Sequence, residues 1–264
     1  PGSISYYNIH GLLVVDDALW VGTFEHGLDI VDIRTGRVKK HYSADDGSHG
    51  LRNNFIVSLL QTRKGDIYVG TGRGLHQYNP KKDNFLYRTD LAEGSFISSM
   101  LEDKSGTLWV ATHNRGLFYA NQKTGEIGVF EHDPGNDNSL SNNTINSIYE
   151  DKSGNLWLST EGGGLCRLDQ QRKRFTRYST RNGLPSNFVF KFMGSVNFPE
   201  AGSAFCSIPT VTIAAPPDFD TCVFNPMTFG EPDPNRNVPA SQSSVPTWTS
   251  ENSTSTSADA DASS

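Results

Sequence analysis

Hydrophobic and polar positions along the chain alternate in short runs, and the runs recur. Four segments align without gaps: LWVGT at 19–23, IYVGT at 67–71, LWVAT at 108–112 and LWLST at 156–160. Each ends on Thr and is followed within a few residues by a Gly-Leu pair, at Gly27-Leu28, Gly74-Leu75, Gly116-Leu117 and Gly164-Leu165. The segments alternate with a period of two and are rich in β-branched and aromatic residues, the pattern of strands, and no amphipathic stripe at helical spacing accompanies them. Their aromatic members Trp20, Tyr68, Trp109 and Trp157 lie 48, 41 and 48 residues apart. That period points to propeller blades before other repeat architectures.

The second unit predicts how one blade is laid out. Residues 54–62 (NFIVSLLQT) make a first strand, and Lys64-Gly65-Asp66 turn into a second at 67–71. Gly72-Arg73-Gly74 turn into a third at 75–79, residues 80–83 form a polar corner with Pro80 early, and 84–88 complete a fourth. Four strands joined by three tight turns form one meander. The expected fold class is all-β, an incomplete β-propeller of four four-stranded blades at roughly 5–42, 54–89, 95–132 and 144–180, with the start of a fifth at 187–193.

In the third and fourth units the first turn reads EDKSGTLW (102–109) and EDKSGNLW (150–157). Asp103 and Asp151 suit bonding to turn amides, and Gly106 and Gly154 suit positive φ. Recurrence at one turn position makes these carboxylates structural rather than catalytic. By the same reasoning the repeated aromatics pack between blades.

The loops where the copies disagree change the picture from scaffold to candidate site. In a meander of this kind the turn between strands two and three shares a face with the connection to the next blade. The four turns read FEH (24–26), GR (72–73), HNR (113–115) and EGG (161–163). Variation on one face of a regular frame is how binding sites are grafted. Glu25, His26, Arg73, His113, Arg115 and Glu161 are therefore the candidate ligand-binding set. They suit hydroxyl-rich or anionic ligands, since Arg forks match carboxylates. No cofactor or metal site is expected.

Composition narrows the function classes. Gly (25) and aromatics (11%) suit many short strands and tight turns, and no run of about 18 or more apolar residues exists to span a bilayer as a helix. The chain begins with Pro1 rather than Met and reads as a fragment or processed form. From Gly194 onward acids outnumber bases eight to one, so the net charge of −6 resides there and the body is close to neutral. A near-neutral body offers no electrostatic case for nucleic acid or anionic membrane. Of three cysteines, Cys166 falls on a repeat strand and reads as a small core residue.

The repeat breaks after Met193. Residues 194–264 hold nine of the 13 prolines and end in Ser, Thr, Ala and acids, a composition expected to be disordered; a frameshifted run of further blades is the other reading. Residues 210–214 are the part of it that suits a strand. Four units are fewer than the roughly seven of a closed ring, so exposed edges are expected to make the isolated segment fold poorly or self-associate.

The phrase DPGNDNSLSNNTINSIYEDKSGNLWLSTEGGGLCRLD (133–169), followed by RFTRYSTRNGLPSNFVF (174–190), resembles the regulator-propeller repeats of Bacteroidetes-type hybrid two-component sensor histidine kinases. The likeness covers residues 4–193. It implies a periplasmic propeller anchored to an inner membrane through later segments, signalling to a histidine kinase outside this chain and acting as a homodimer. It further implies recognition of an oligosaccharide or other small ligand, without catalysis in this segment and without direct nucleic-acid contact. No phosphoacceptor residue carries over onto the histidines here. The alternative is a propeller enzyme of lyase or glycosidase type, with His113 as its candidate catalytic group. Against it, Asp151 and Gly154 are separated by two residues where the sialidase Asp box has one. A protein-interaction platform is a third reading, but WD and kelch signatures are missing.

Overall fold

The structure, a computed structural model, describes residues 2–45 and 49–192 together with Val211–Thr212. The chain divides into two units, Pro1–Gly230 and Glu231–Ser264, and every described strand belongs to the first. The expectations for the remainder of the tail lie outside the described residues.

Four antiparallel meanders succeed one another along the chain. The first blade is β1 (Ile9–Val15), β2 (Ala18–Thr23), β3 (Leu28–Asp32) and β4 (Val38–Tyr42); the second is β5 (Ile56–Gln61), β6 (Ile67–Thr71), β7 (Gly74–Asn79) and β8 (Asn84–Tyr87). The third is β9 (Ile97–Glu102), β10 (Thr107–Thr112), β11 (Leu117–Asn121) and β12 (Ile127–Phe130). The fourth is β13 (Ile145–Glu150), β14 (Leu156–Thr160), β15 (Leu165–Leu168) and β16 (Phe175–Tyr178). In each sheet the strands lie side by side in chain order. The fold is the incomplete, all-β propeller that the repeat predicts. Beyond it come a 3-10 turn (Thr180–Asn182) and a short pair in which β17 (Lys191–Phe192) meets β18 (Val211–Thr212), the latter within the tail segment expected to suit a strand.

The shared residues owe their recurrence to packing. Each Gly-Leu pair sits where the last strand of the same blade crosses closely. Gly116 has φ 73°, and a Cβ there would collide with the carbonyl of Phe130. The following Leu117 is fully buried. The fourth residue of the second-strand segment is small in every copy (Gly22, Gly70, Ala111 or Ser159), and at Gly22 and Gly70 the next blade's first strand presses on it. A Cβ at Gly22 or Gly70 would stand 2.6 Å or 2.7 Å from the nearest side-chain carbon of Ile56 or Ile97.

Three buried clusters fill the spaces between neighbouring blades. Trp20, Leu28, Ile56 and Val69 join the first blade to the second. Tyr68, Leu75, Ile97 and Leu108 join the second to the third, and Trp109, Leu117, Ile145 and Leu156 join the third to the fourth. Each repeated aromatic from the first three blades thus packs toward the next blade. Full burial of an aliphatic side chain such as Ile145 contributes about 1.5–3 kcal/mol, so cohesion lies in these seams. First strands of successive blades are direct neighbours, β1 beside β5, β5 beside β9 and β9 beside β13. Their hydroxyls and amides stitch the inner wall: Ser58 Oγ donates to the Ile97 carbonyl at 3.2 Å, and Asn146 Nδ2 donates to the Val189 carbonyl at 3.0 Å.

The turn aspartates are structural. Asp103 Oδ1 accepts from the Ser105 and Thr107 amides, each at 2.9 Å, while its Oδ2 accepts from Trp109 Nε1 at 2.8 Å. Asp151 repeats the arrangement, accepting from the Asn155 amide at 2.8 Å and Trp157 Nε1 at 3.0 Å. Each carboxylate closes its own turn and satisfies the buried indole N–H six residues on, as a buried donor requires. Cys166 is fully buried on β15, as its place in the repeat suggests.

Candidate functional site

One hydrogen bond, repeated in every blade, ties the turn between the second and third strands to the start of the first strand. The residue after the second-strand Thr donates its N–H to the carbonyl of the residue just before the first strand. The pairs are Phe24 to Asn8 (3.0 Å), Gly72 to Phe55 (3.0 Å), His113 to Phe96 (3.1 Å) and Glu161 to Thr144 (3.0 Å). A second bond ties the turn to the approach of the following blade. Gly27, Gly116 and Gly164 donate to the carbonyls of Asn54, Asn143 and Asn187 at 2.9, 2.9 and 2.7 Å. The two-to-three turns and the blade connections therefore share a face, as the repeat implies.

Where these pairs converge, a cleft of about 440 Å³ opens along the first strands. One wall is a run of rings. Phe55 meets His10 edge-on at 4.9 Å and Phe24 at 4.5 Å, and it meets Phe96 at 5.4 Å. Phe96 in turn stacks on His113 at 4.4 Å. The polar part of the lining comes from Ser58, Ser98, Ser99, Ser147, Asn146 and Glu161, and Phe190 also lines it. Burial pushes the His113 imidazole below its ordinary pKa, while the Glu161 charge and a hydrogen bond with Asn146 pull the other way. The net effect holds a neutral ring beside a carboxylate. Such a cleft can stack the apolar face of a small ring and bond its hydroxyls.

Of the six candidate residues, His113 and Glu161 line the cleft. The other four do not. Glu25 and His26 are exposed on the Phe24–His26 turn, where the His26 ring lies tilted against Tyr6 at 4.7 Å. Arg73 is exposed outside the lining, and its carbonyl accepts from the Tyr87 hydroxyl at 3.3 Å. Arg115 points away from the cleft: Nη1 donates to the Glu93 carbonyl at 2.8 Å and to Ser95 Oγ at 3.3 Å, and the guanidinium lies over Phe118 at 5.4 Å.

His10, Phe24, Phe55, Phe96 and Asn146 are not among the candidates that the variable turns pick out, although the sequence carries a signal for part of this set. NFI at 54–56, SFI at 95–97 and NFV at 187–189 place a Phe just before the first strand in three copies. Among the described residues no group of three or more His, Cys, Asp or Glu is placed to hold a metal. No helix among them is long and apolar enough to cross a membrane.

Likeness to known proteins centres on the repeat. The two component regulator propeller family matches at residues 50–73, 91–114 and 139–162. Histidine kinase P4 of Formosa agariphila is 31% identical over 118 residues, which is 40% of this chain and 8% of that protein. Among solved structures, the extracellular domain of the hybrid two component system BT3049 from B. thetaiotaomicron superposes with a TM-score of 0.62 at 19% identity, over 84% of this chain and 28% of that one. The computationally designed Ika8 protein superposes with a TM-score of 0.50 at 10% identity, over 78% and 57% of the two chains. This chain thus spans under a tenth of the curated relative and under a third of the first solved one.

Proposed function

Because the chain carries two-component regulator propeller repeats, we propose that it is the ligand-sensing, extracytoplasmic part of a two-component sensor, binding an oligosaccharide in the axial cleft and signalling to a histidine kinase outside this chain. The observation that carries the binding role is the cleft itself. Two residues where the copies differ, His113 and Glu161, meet there with residues that recur: the Phe before the first strand (Phe55, Phe96) and the Ser at its third position (Ser58, Ser99, Ser147). Ring faces, hydroxyls, an amide and a carboxylate form one lining, and that mixture suits a polyhydroxylated ring with an apolar face. The name of the curated relative and the extracellular setting of the BT3049 domain support the kinase linkage and the periplasmic placement. Homodimerisation of the whole receptor belongs to the same reading.

A catalytic reading rests on the neutral His113 beside Glu161. A glycan-binding screen of the chain, run with chelator and with product analysis, separates the two. Saturable binding without conversion is the expected result, and turnover of the bound glycan would replace the sensor reading with the enzyme.

A further inference from the structure

We infer that the cleft takes an uncharged glycan of at least two sugar rings, laid along the aromatic side chains from His113 in the cleft to Tyr7 outside it, and rejects uronic-acid and sulfated glycans. The inference rests on the glycan-binding reading above and specifies its ligand. Two independent features of the lining carry it, one of shape and one of charge.

The rings do not stop at the cleft. The Phe24–His26 turn carries them outward: Phe24 touches His10 at 5.7 Å and Phe55 at 4.5 Å inside. Two residues on, the His26 ring lies tilted against Tyr6, and Tyr6 lies tilted against Tyr7 at 4.6 Å. Tyr7 is 84% exposed, the most exposed large hydrophobic residue described. With half-buried Tyr6 and exposed His26 it forms one small aromatic patch, the kind of feature that marks a contact surface. Successive ring centres in the cleft lie 4.4–5.4 Å apart, so the cleft wall alone exceeds one sugar ring. The outer tyrosines extend the surface to a second unit.

Charge selects among glycans. Among the described lining residues Glu161 is the one acid, and no Lys or Arg is present. The two arginines that would match a carboxylate are elsewhere, Arg115 tied to Glu93 and Ser95 and Arg73 outside the lining. His113 is held neutral by burial. An anionic sugar entering here leaves water to face a like charge with no partner, an arrangement that costs affinity steeply. Hydroxyls, by contrast, meet Ser99, Ser147 and Glu161 as polar partners.

The test is a glycan array bearing neutral, uronic-acid and sulfated oligosaccharides, probed with the chain and followed by calorimetry. The calorimetry uses the best neutral hit, its monosaccharide and tetragalacturonate. The expected hits are neutral, with the oligosaccharide binding at least about tenfold tighter than its monosaccharide, as added ring stacking implies. Tyr7→Ala, a surface change whose fold is checked by circular dichroism, is expected to weaken the oligosaccharide about two- to tenfold and leave the monosaccharide unchanged. Glu161→Lys, also on the surface, is expected to admit tetragalacturonate. Preferred binding of anionic glycans by the unaltered chain, or a Tyr7→Ala variant with unaltered affinity, overturns this inference and leaves the sensor reading standing. Absence of every glycan from the hits overturns both.

Discussion

Arg172, in the last turn of the fourth blade, donates through Nη2 to Asp103 Oδ2 in the first turn of the third blade at 2.9 Å. The same oxygen accepts from Trp109 Nε1, and the guanidinium lies over the Trp109 ring at 5.2 Å. Asp103 is 1% exposed. A carboxylate that closes one turn therefore also pins the next blade, so a local repeat feature acts across the seam between blades.

Removing that carboxylate leaves two turn amides, the Ser105 hydroxyl and an indole N–H without their acceptor and takes one acceptor from the Arg172 guanidinium. Asp103→Ala is expected to destabilise the propeller by about 3–5 kcal/mol, the range for breaking a buried, charged network. The measurement is the urea unfolding midpoint. A loss below about 1 kcal/mol, the scale of a surface pair, would contradict the role assigned here.

The same residue sets an acid dependence. Burial pushes the Asp103 carboxyl up, but bonds from Ser105, Trp109, Thr107 and Arg172 outweigh it and hold the group below its ordinary value. A carboxyl depressed on folding adds stability that is present above its unfolded pKa and lost as pH falls toward the folded one. The stability gap between the unaltered chain and Asp103→Asn should therefore narrow between about pH 5 and about pH 2. A gap that widened on acidification would reverse the sign.

Gly116 and Gly125 separate backbone strain from collision. Both have positive φ, 73° and 75°, but a Cβ at Gly125 meets nothing within 4 Å, whereas one at Gly116 strikes the Phe130 carbonyl. Gly125→Ala is expected to cost about 1–2 kcal/mol, and Gly116→Ala more than about 3 kcal/mol. Thermal unfolding of the pair reads the difference directly; equal losses would mean that the last strand yields to the added methyl.

Titration of His113 by NMR tests the electrostatics of the cleft. Its pKa is expected below the usual value of about 6.5, because burial dominates. Glu161→Gln removes the charge that opposes this and should move it lower still. With the folded pKa depressed, the unfolded chain takes up the proton first, so this group subtracts stability as pH falls below about 6.5. An unchanged pKa on Glu161→Gln would show that the carboxylate does not act on the ring.

Cys166 supplies a probe of the third seam. Burial pushes its thiol up to about 11, and the reactive thiolate is scarce at neutral pH. Alkylation followed by peptide mapping should leave the Cys166 peptide unmodified in the native chain and label it in step with urea unfolding. Labelling in the absence of denaturant would show that the seam between the third and fourth blades opens without global unfolding.

Local chemistry along the chain is enough to specify the scaffold. Strand order, blade period and the packing roles of Trp20, Tyr68 and Trp109 come from alternation and turn chemistry, which act over a few residues. The need for Gly before Leu117 and the Asp103–Trp109 bond arise within a single meander, so a repeated motif exposes them. The site is legible only in part. His113 and Glu161 stand out as variable turn residues, but Arg115 has the same credentials and is turned onto Glu93 and Ser95. Phe55 and Phe96 look like ordinary strand-edge hydrophobics in the sequence. Phe96 meets His113 within one blade, but it takes the packing of neighbouring blades to bring Phe55 against His10 and Phe96, since that contact depends on how the inner strands lie against one another. That arrangement is set by side chains far apart in the chain pressing together, as Gly70 does with Ile97 in one seam and Asp103 with Arg172 in the next, and by nothing that a single blade contains.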